Sequence, residues 1–258
     1  NAVGKTVAAL LHHTSHPCHG YPHRYVIGDW PGSWAELMRE KMGGDCVPLV
    51  VNGCCGNIHH CNHIDPSVNY NTDYKDMAAK LMETTNRVLG QMKPVGNPVP
   101  GFAHTKLSLP LRKLKADVIR KAQDFVDKYP EPKWNDATKT SVDWDWVFAV
   151  MVLDLKKTQD RTMRQDYEIQ AFRIGDFALA TLMGEPFVEA QLGIKMSSPA
   201  PYTFVAHFCN GYAGYIPTRR AFKGGGYETR TGNSSKWQPD ALEQIEKTAV
   251  RLLKQACR

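Results

Sequence analysis

The chain has 258 residues, 42% of them hydrophobic, and carries 32 Lys and Arg against 26 Asp and Glu for a formal net charge of +6. That length suits one large domain or two small ones and is ample for a sizeable buried core. The longest apolar run, residues 147–153, stops at Asp154, short of the roughly 18–20 residues that a bilayer span needs. The basic residues are scattered rather than massed, which favours a solvated surface over nucleic-acid binding.

Residues 5–11 read as the middle of a buried strand, so the sequence is expected to be a piece of a longer protein, a processed product or one chain of a pair. The strand runs into His12-His13-Thr14-Ser15-His16-Pro17, a loop with three histidines. Ser33-Trp34-Ala35-Glu36 has the spacing of a capping box and predicts a short helix with Trp34, Leu37 and Met38 on one face. A strand over 47–51 leads into Asn52-Gly53-Cys54-Cys55-Gly56-Asn57-Ile58-His59-His60. Residues 71–92 read as a helix from the spacing of Met77, Leu81, Val88 and Met92, broken over 94–100.

Ala103, Thr105, Leu107, Leu109 and Leu111 alternate with polar residues as a half-buried strand should. Two helices follow, one lined by Val118, Ala122, Phe125 and Tyr129, the other over 144–155. Residues 167–173 and 177–182 flank Ile174-Gly175-Asp176 as a hairpin with a Gly-Asp turn. The second strand ends at Met183-Gly184-Glu185-Pro186, where a helix is predicted to begin. A strand over 204–209 delivers a glycine-loosened loop, Asn210 to Arg220 and on to Tyr227, with three tyrosines. Pro239 at a first helical position opens a last helix whose Leu242, Ile245, Ala249, Leu252 and Leu253 face the core. Strands alternating with helices predict an α/β fold of mixed sheet and helix layers, with the loops beyond the strand ends building the site.

Four loops compete for that site: residues 12–19, 53–63, 184–186 and 212–227. They offer imidazoles, a carboxylate and phenols, a donor set that Zn²⁺ accepts, although no HExxH pattern is present. His12, His13, His19 and His23 read as ordinary satisfied loop histidines. His59, His60 and His63 offer a second metal or substrate subsite. The seven cysteines form no CxxC pair, and the adjacent Cys54 and Cys55, which cannot readily bond to each other, read as small packing residues. Arg219 and Arg220 serve either an anionic group or the surface.

The order of these blocks, from the His-Pro loop through the Gly-rich loop, Ile-Gly-Asp and Gly-Glu-Pro to Asn-Gly-Tyr-Ala-Gly-Tyr-Ile-Pro-Thr-Arg, resembles the catalytic domain of the neutral/alkaline non-lysosomal ceramidases. Residues 1–258 would be the later portion of that single domain, incomplete without an upstream segment and without the family's C-terminal β-sandwich. The resemblance implies a secreted or periplasmic zinc amidase that cleaves an N-acyl amide, with ceramide-like lipid or another small molecule as substrate. It implies His16, Glu185 and Tyr215 as metal ligands, with Tyr215 and Tyr227 as the catalytic phenols and Tyr227 as oxyanion donor. The family's further zinc histidine lies upstream of Asn1, so a second chain is expected to supply it. Asn57 stands where the family pattern has Asp, and His59-His60 replaces a more usual Asn/Ser-Pro. The alternatives are the same metal site acting on a carbohydrate or other small polar substrate, and a non-catalytic binding subunit.

Overall fold

Side-chain alternation shapes the main sheet, and three shorter connections then bring its strand ends together. The computed structural model describes residues 4–21, 23, 25–62, 65, 73–94 and 98–258. In chain order its elements are β1 (Ala8–His13), α1 (Asp29–Met42), β2 (Val47–Asn52), α2 (Tyr74–Leu89), β3 (Pro100–Pro110), α3 (Ala116–Lys128), α4 (Trp144–Gln159) and β4 (Arg164–Ile174). There follow β5 (Phe177–Thr181), β6 (Glu185–Pro186), α5 (Val188–Ser197), β7 (Tyr202–Ala206), β8 (Tyr215–Ile216), α6 (Ala221–Gly224) and α7 (Ala241–Ala256), with a 3₁₀ turn at Tyr227–Thr229.

The main sheet has the order β3-β4-β5-β7, antiparallel except for the parallel β5-β7 pair. Tyr167, Ile169 and Ala171 of β4, Ala178 and Ala180 of β5 and Val205 of β7 point to one face and are fully buried, as a period of two requires. Against them lie Leu242, Ile245, Ala249, Leu252 and Leu253 of α7 and Ala190 and Ile194 of α5, so one helix face and one sheet face close the principal core. The predicted hairpin is present: β4 and β5 are joined across Gly175 and Asp176, with Gly175 in the left-handed region at φ 60°.

A second, smaller layer stands beside β7. β1 and β2 pair in parallel from Ala8 opposite Val47 to His13 opposite Asn52. Trp34 and Met38 of α1 and Ala78 and Met82 of α2 close a separate small core over Leu11 and Val50, and the Trp34 indole N–H donates to Thr85 Oγ1 at 3.0 Å. Where β1 and β2 approach β7, the His207 amide donates to Asn52 O at 3.2 Å, and His12 Nε2 lies 3.1 Å from Val205 O.

Several boundaries differ from the sequence reading: β1 runs to His13, α2 ends at Leu89 rather than 92, and β7 is Tyr202–Ala206 rather than 204–209. α1 begins at Asp29, not after Ser33: Gly28 is its N-cap, its C=O receiving the Gly32 amide at 2.8 Å, and the Asp29 carboxylate receives the amides of His19 and Trp30, both at 2.7 Å. Glu185 and Pro186 are strand rather than helix: β6 pairs in parallel with β8, Glu185 opposite Tyr215, and α5 starts only at Val188. Pro239 precedes α7 in a turn closed by the Ala241 amide on Gln238 O at 3.0 Å. The predicted start of α2 at residue 71 and His63 lie outside the described residues.

Candidate functional site

The loops that follow β1, β2, β5 and β7 leave the C-terminal ends of parallel-paired strands on the same side of the molecule, the place where open α/β sheets gather ligands. Gln191 of α5 fastens the first two. Its buried amide accepts from the Cys54 backbone N–H at 2.8 Å and donates to Thr14 Oγ1 at 2.8 Å. Asn52 adds a bond to each side of Ser15, accepting from its N–H at 3.2 Å and donating to its C=O at 3.0 Å. Asn57 reaches the start of α5, where its Oδ1 accepts from the Val188 amide at 2.8 Å. It therefore fills a capping role that Phe187 cannot supply.

The β6–β8 pair sets the other wall. Gly184 at φ 62° and Gly214 at φ 74° lie so close that a Cβ on Gly184 would sit 2.5 Å from Gly214 O, and one on Gly214 would sit 2.5 Å from Ser234 O. Glycine is required at both. This tight crossing places Glu185 beside Tyr215 in register and leaves Glu185 only 6% exposed.

His16 faces that carboxylate. Its Nδ1 donates to Ile58 O at 2.8 Å, which turns Nε2, the position open to a second proton or a cation, to within 3.2 Å of Glu185 Oε2. An imidazole nitrogen held against a carboxylate oxygen calls for a positive charge, a proton or a metal ion, between them. Contact with the Cys55 thiol and then with Glu185 accordingly pushes the His16 imidazole up to about 11. Two ligands bound at 2.0–2.2 Å to one zinc ion lie about 3.0–3.4 Å apart at angles of about 90–110°, so the pair fits a single cation. Tyr212 donates to Glu185 Oε1 at 3.4 Å, and burial followed by the carboxylate pushes its phenol up to about 12. The hydroxyls of Tyr215 and Tyr227 are 3.2 Å apart, and burial, Tyr227 and Glu185 together raise the Tyr215 phenol far above its usual range. The Tyr212 and Tyr215 phenols therefore remain protonated donors at neutral pH. His16, Glu185, Tyr215 and Tyr227 are thus brought into one neighbourhood. Tyr212 also borders an open cleft of about 520 Å³ lined by Arg164, Asp166, Met183, Lys236 and Trp237.

Three residues of this neighbourhood had no role in the sequence reading. His207 follows β7, its ring 3.7 Å from Cys55 Sγ, and burial lowers its pKa to about 4 despite the opposing pull of Glu185. Cys55 is buried as a packing residue should be, yet it touches the site through His16 and His207. Cys18 lies 3.2 Å from His59 Nε2 and 3.5 Å from His60 Nδ1. The ligand atoms of Cys18, His59 and His60 all lie within 4.8 Å of one another, a second group able to hold a metal. Cys54, by contrast, is plain core, its thiol raised by burial. His12, His13, His19 and His23 each have a structural partner: Val205, Trp30, Asp29 and Tyr25. Arg219 pairs with Glu243 at 3.6 Å on the surface.

Neither a protein-family model nor a curated protein sequence matches the chain. Solved structures do. A neutral ceramidase from Pseudomonas aeruginosa aligns with 98% of this chain at a TM-score of 0.62 and 14% identity, and a ceramidase complexed with C2 aligns with 98% at 0.63 and 15%. The fold is ceramidase-like. The chain spans 44% and 46% of those two structures, less than half of either. The mixed α/β layers predicted from the sequence are therefore those of the ceramidase neighbours. No described helix is long and apolar enough to cross a membrane.

Proposed function

We propose that this chain forms one wall of a zinc-dependent hydrolase site that cleaves an N-acyl amide of the ceramide type. The observation that carries the reading is the facing of His16 Nε2 and Glu185 Oε2 at 3.2 Å, with the paired hydroxyls of Tyr215 and Tyr227 alongside. His16, Glu185 and Tyr215 would hold the ion, which when bound supplies Lewis acidity and a water-derived nucleophile at neutral pH. The ceramidase-like fold and the sequence resemblance give the reaction class its support. A further histidine ligand would come from residues outside this sequence, in an upstream segment or a second chain.

The protein's own groups have definite tasks in that reaction. Ile58 O fixes the His16 tautomer, so that Nε2 presents a lone pair. Tyr215, its proton held by burial and by Tyr227 and Glu185, keeps its O–H beside the Tyr227 hydroxyl at 3.2 Å. Tyr227, 55% exposed, can turn its O–H from Tyr215 to the amide oxygen as that oxygen gains charge, a contribution of about 10²–10³ in rate for one such donor. The Tyr212 cleft gives room for the remainder of the substrate.

The test pairs two variants. Glu185→Ala should lose zinc by elemental analysis and hydrolysis of an N-acyl sphingoid together, whereas Tyr227→Phe should keep zinc and lose about 10²-fold in kcat. Zinc retained at full stoichiometry in the Glu185 variant removes the ligand assignment.

A further inference from the structure

We propose that Cys18, His59 and His60 form a second metal site, selective for a borderline-soft divalent ion and separate from the His16, Glu185 and Tyr215 set. The first argument is distance. A tetrahedral ion with a sulfur at about 2.3 Å and a nitrogen at about 2.0–2.1 Å sets those two ligands about 3.6 Å apart. Cys18 Sγ lies 3.2 Å from His59 Nε2 and 3.5 Å from His60 Nδ1, so the cage needs only a few tenths of an ångström of expansion. Two imidazoles on one sulfur also exceed what a nucleophile and its base require.

The second argument is scaffolding. The ligands come from two chain segments, the loop after β1 and the loop after β2, and these are already tied by the His16 amide on Ile58 O at 3.3 Å. The His60 ring stacks on His19 with centroids 3.9 Å apart. His19 in turn has its Nδ1 2.7 Å from Asp29 Oδ1, and Asp29 Oδ2 accepts the His19 amide at 2.7 Å. This is the arrangement of a carboxylate that orients an imidazole near a metal. With Nδ1 so engaged, His19 Nε2 is buried and has no hydrogen-bond partner among the described residues, a polar nitrogen beside the cluster that an ion or its ligand sphere would satisfy.

The site is distinct from its neighbour. The His16 and His59 rings stack at 6.4 Å between centroids, and the two sets share no residue. The donors differ too: thiolate and imidazole here, which suit zinc or cobalt, against a carboxylate-bearing set there. Loading releases one proton from the Cys18 thiol as the metal–sulfur bond forms. The His59 ring proton moves from Nε2 to Nδ1, which gives up the 3.3 Å contact that Nδ1 receives from the Cys61 amide. His60 binds through Nδ1 and keeps its proton on Nε2. The consequence is a clasp across the two loops, one of which presents His16.

Cobalt(II) titration of the metal-free chain tests this, because a thiolate ligand gives a sulfur-to-cobalt charge-transfer band that an oxygen- and nitrogen-ligated site lacks. The native chain should show that band. Cys18→Ser and, separately, His60→Gln should abolish it and lower bound cobalt by one equivalent, with circular dichroism unchanged. Glu185→Gln should leave the band intact, so that loss of the first site and loss of this one are read separately. A native chain without the band overturns the proposal, as does a band that survives Cys18→Ser.

Discussion

The two walls of the candidate site are built in different ways. Glu185 and Tyr215 stand on paired strands locked by a glycine crossing against Ser234, beside Phe187, Ala213 and Ile216 of the principal core. His16, Cys18, His59 and His60 stand on loops that share side-chain and amide bonds but no strand pairing. The first wall is preorganised by backbone sterics, and the second by hydrogen bonds and, on the proposals above, by bound cations. A donor on rigid strands keeps its geometry without its ion, whereas loop-borne donors gain theirs in part from the ion.

The largest effect should come from breaking the rigid wall. Gly214→Ala sets a methyl 2.5 Å from Ser234 O at φ 74°, and should cost about 3 kcal/mol or more of unfolding free energy in urea titration. A wild-type midpoint would show that the crossing can relax.

An intermediate effect should appear at the joint between the walls. His12 lies against Val205 O, stacks on Phe204, and has its pKa lowered from 6.5 to about 4, chiefly by burial. The unfolded chain therefore takes up this proton before the folded one. The stabilisation is complete above about pH 6.5 and is lost as pH falls towards 4, by an amount on the order of 2 kcal/mol. His13, also lowered by burial, and His207, lowered to about 4, act in the same direction, so His12→Gln should flatten the profile without abolishing it. An unchanged profile in that variant would place the loss elsewhere.

The smallest effect tests the loop wall. Asn57→Ala removes the acceptor of the Val188 amide and the donor to Glu189 Oε2 at 3.0 Å, and should cost about 1 kcal/mol in thermal unfolding. Replacement by Asp should retain the acceptor towards the Val188 amide and lose the bond to Glu189.

Local pattern made the scaffold readable. The alternation in β3, the Gly-Asp turn and the apolar stripe of α7 are short-range signals, and each element formed near its predicted place. β6 was not readable, because a two-residue strand exists only through its partner Tyr215, some thirty positions later. The start of α1 escaped for a related reason: the Asp29 carboxylate is committed to the His19 backbone, which composition cannot reveal. At the site, Tyr215 and Tyr227 were marked by their own loop, whereas His207 read as part of a strand and Cys55 as packing. Their shared contact spans 152 positions. The usable signal for His207 was its place just beyond the end of β7, where site residues gather.

The joint between the layers has one more consequence. β1 and β2 meet β7 through an imidazole and a single amide rather than through a ladder of backbone bonds, and the smaller layer carries its own core of Trp34, Met38, Ala78 and Met82. Gln191, Asn57 and the Gly56 amide on Pro186 O tie the loops of this layer to the larger one as well, so local opening of the layer has to break those bonds too. His16 belongs to the smaller unit and Glu185 to the larger, so partial opening of the β1–β2 layer parts the pair without unfolding the main sheet. On the proposal above, an ion held between them would therefore also be a latch on local unfolding.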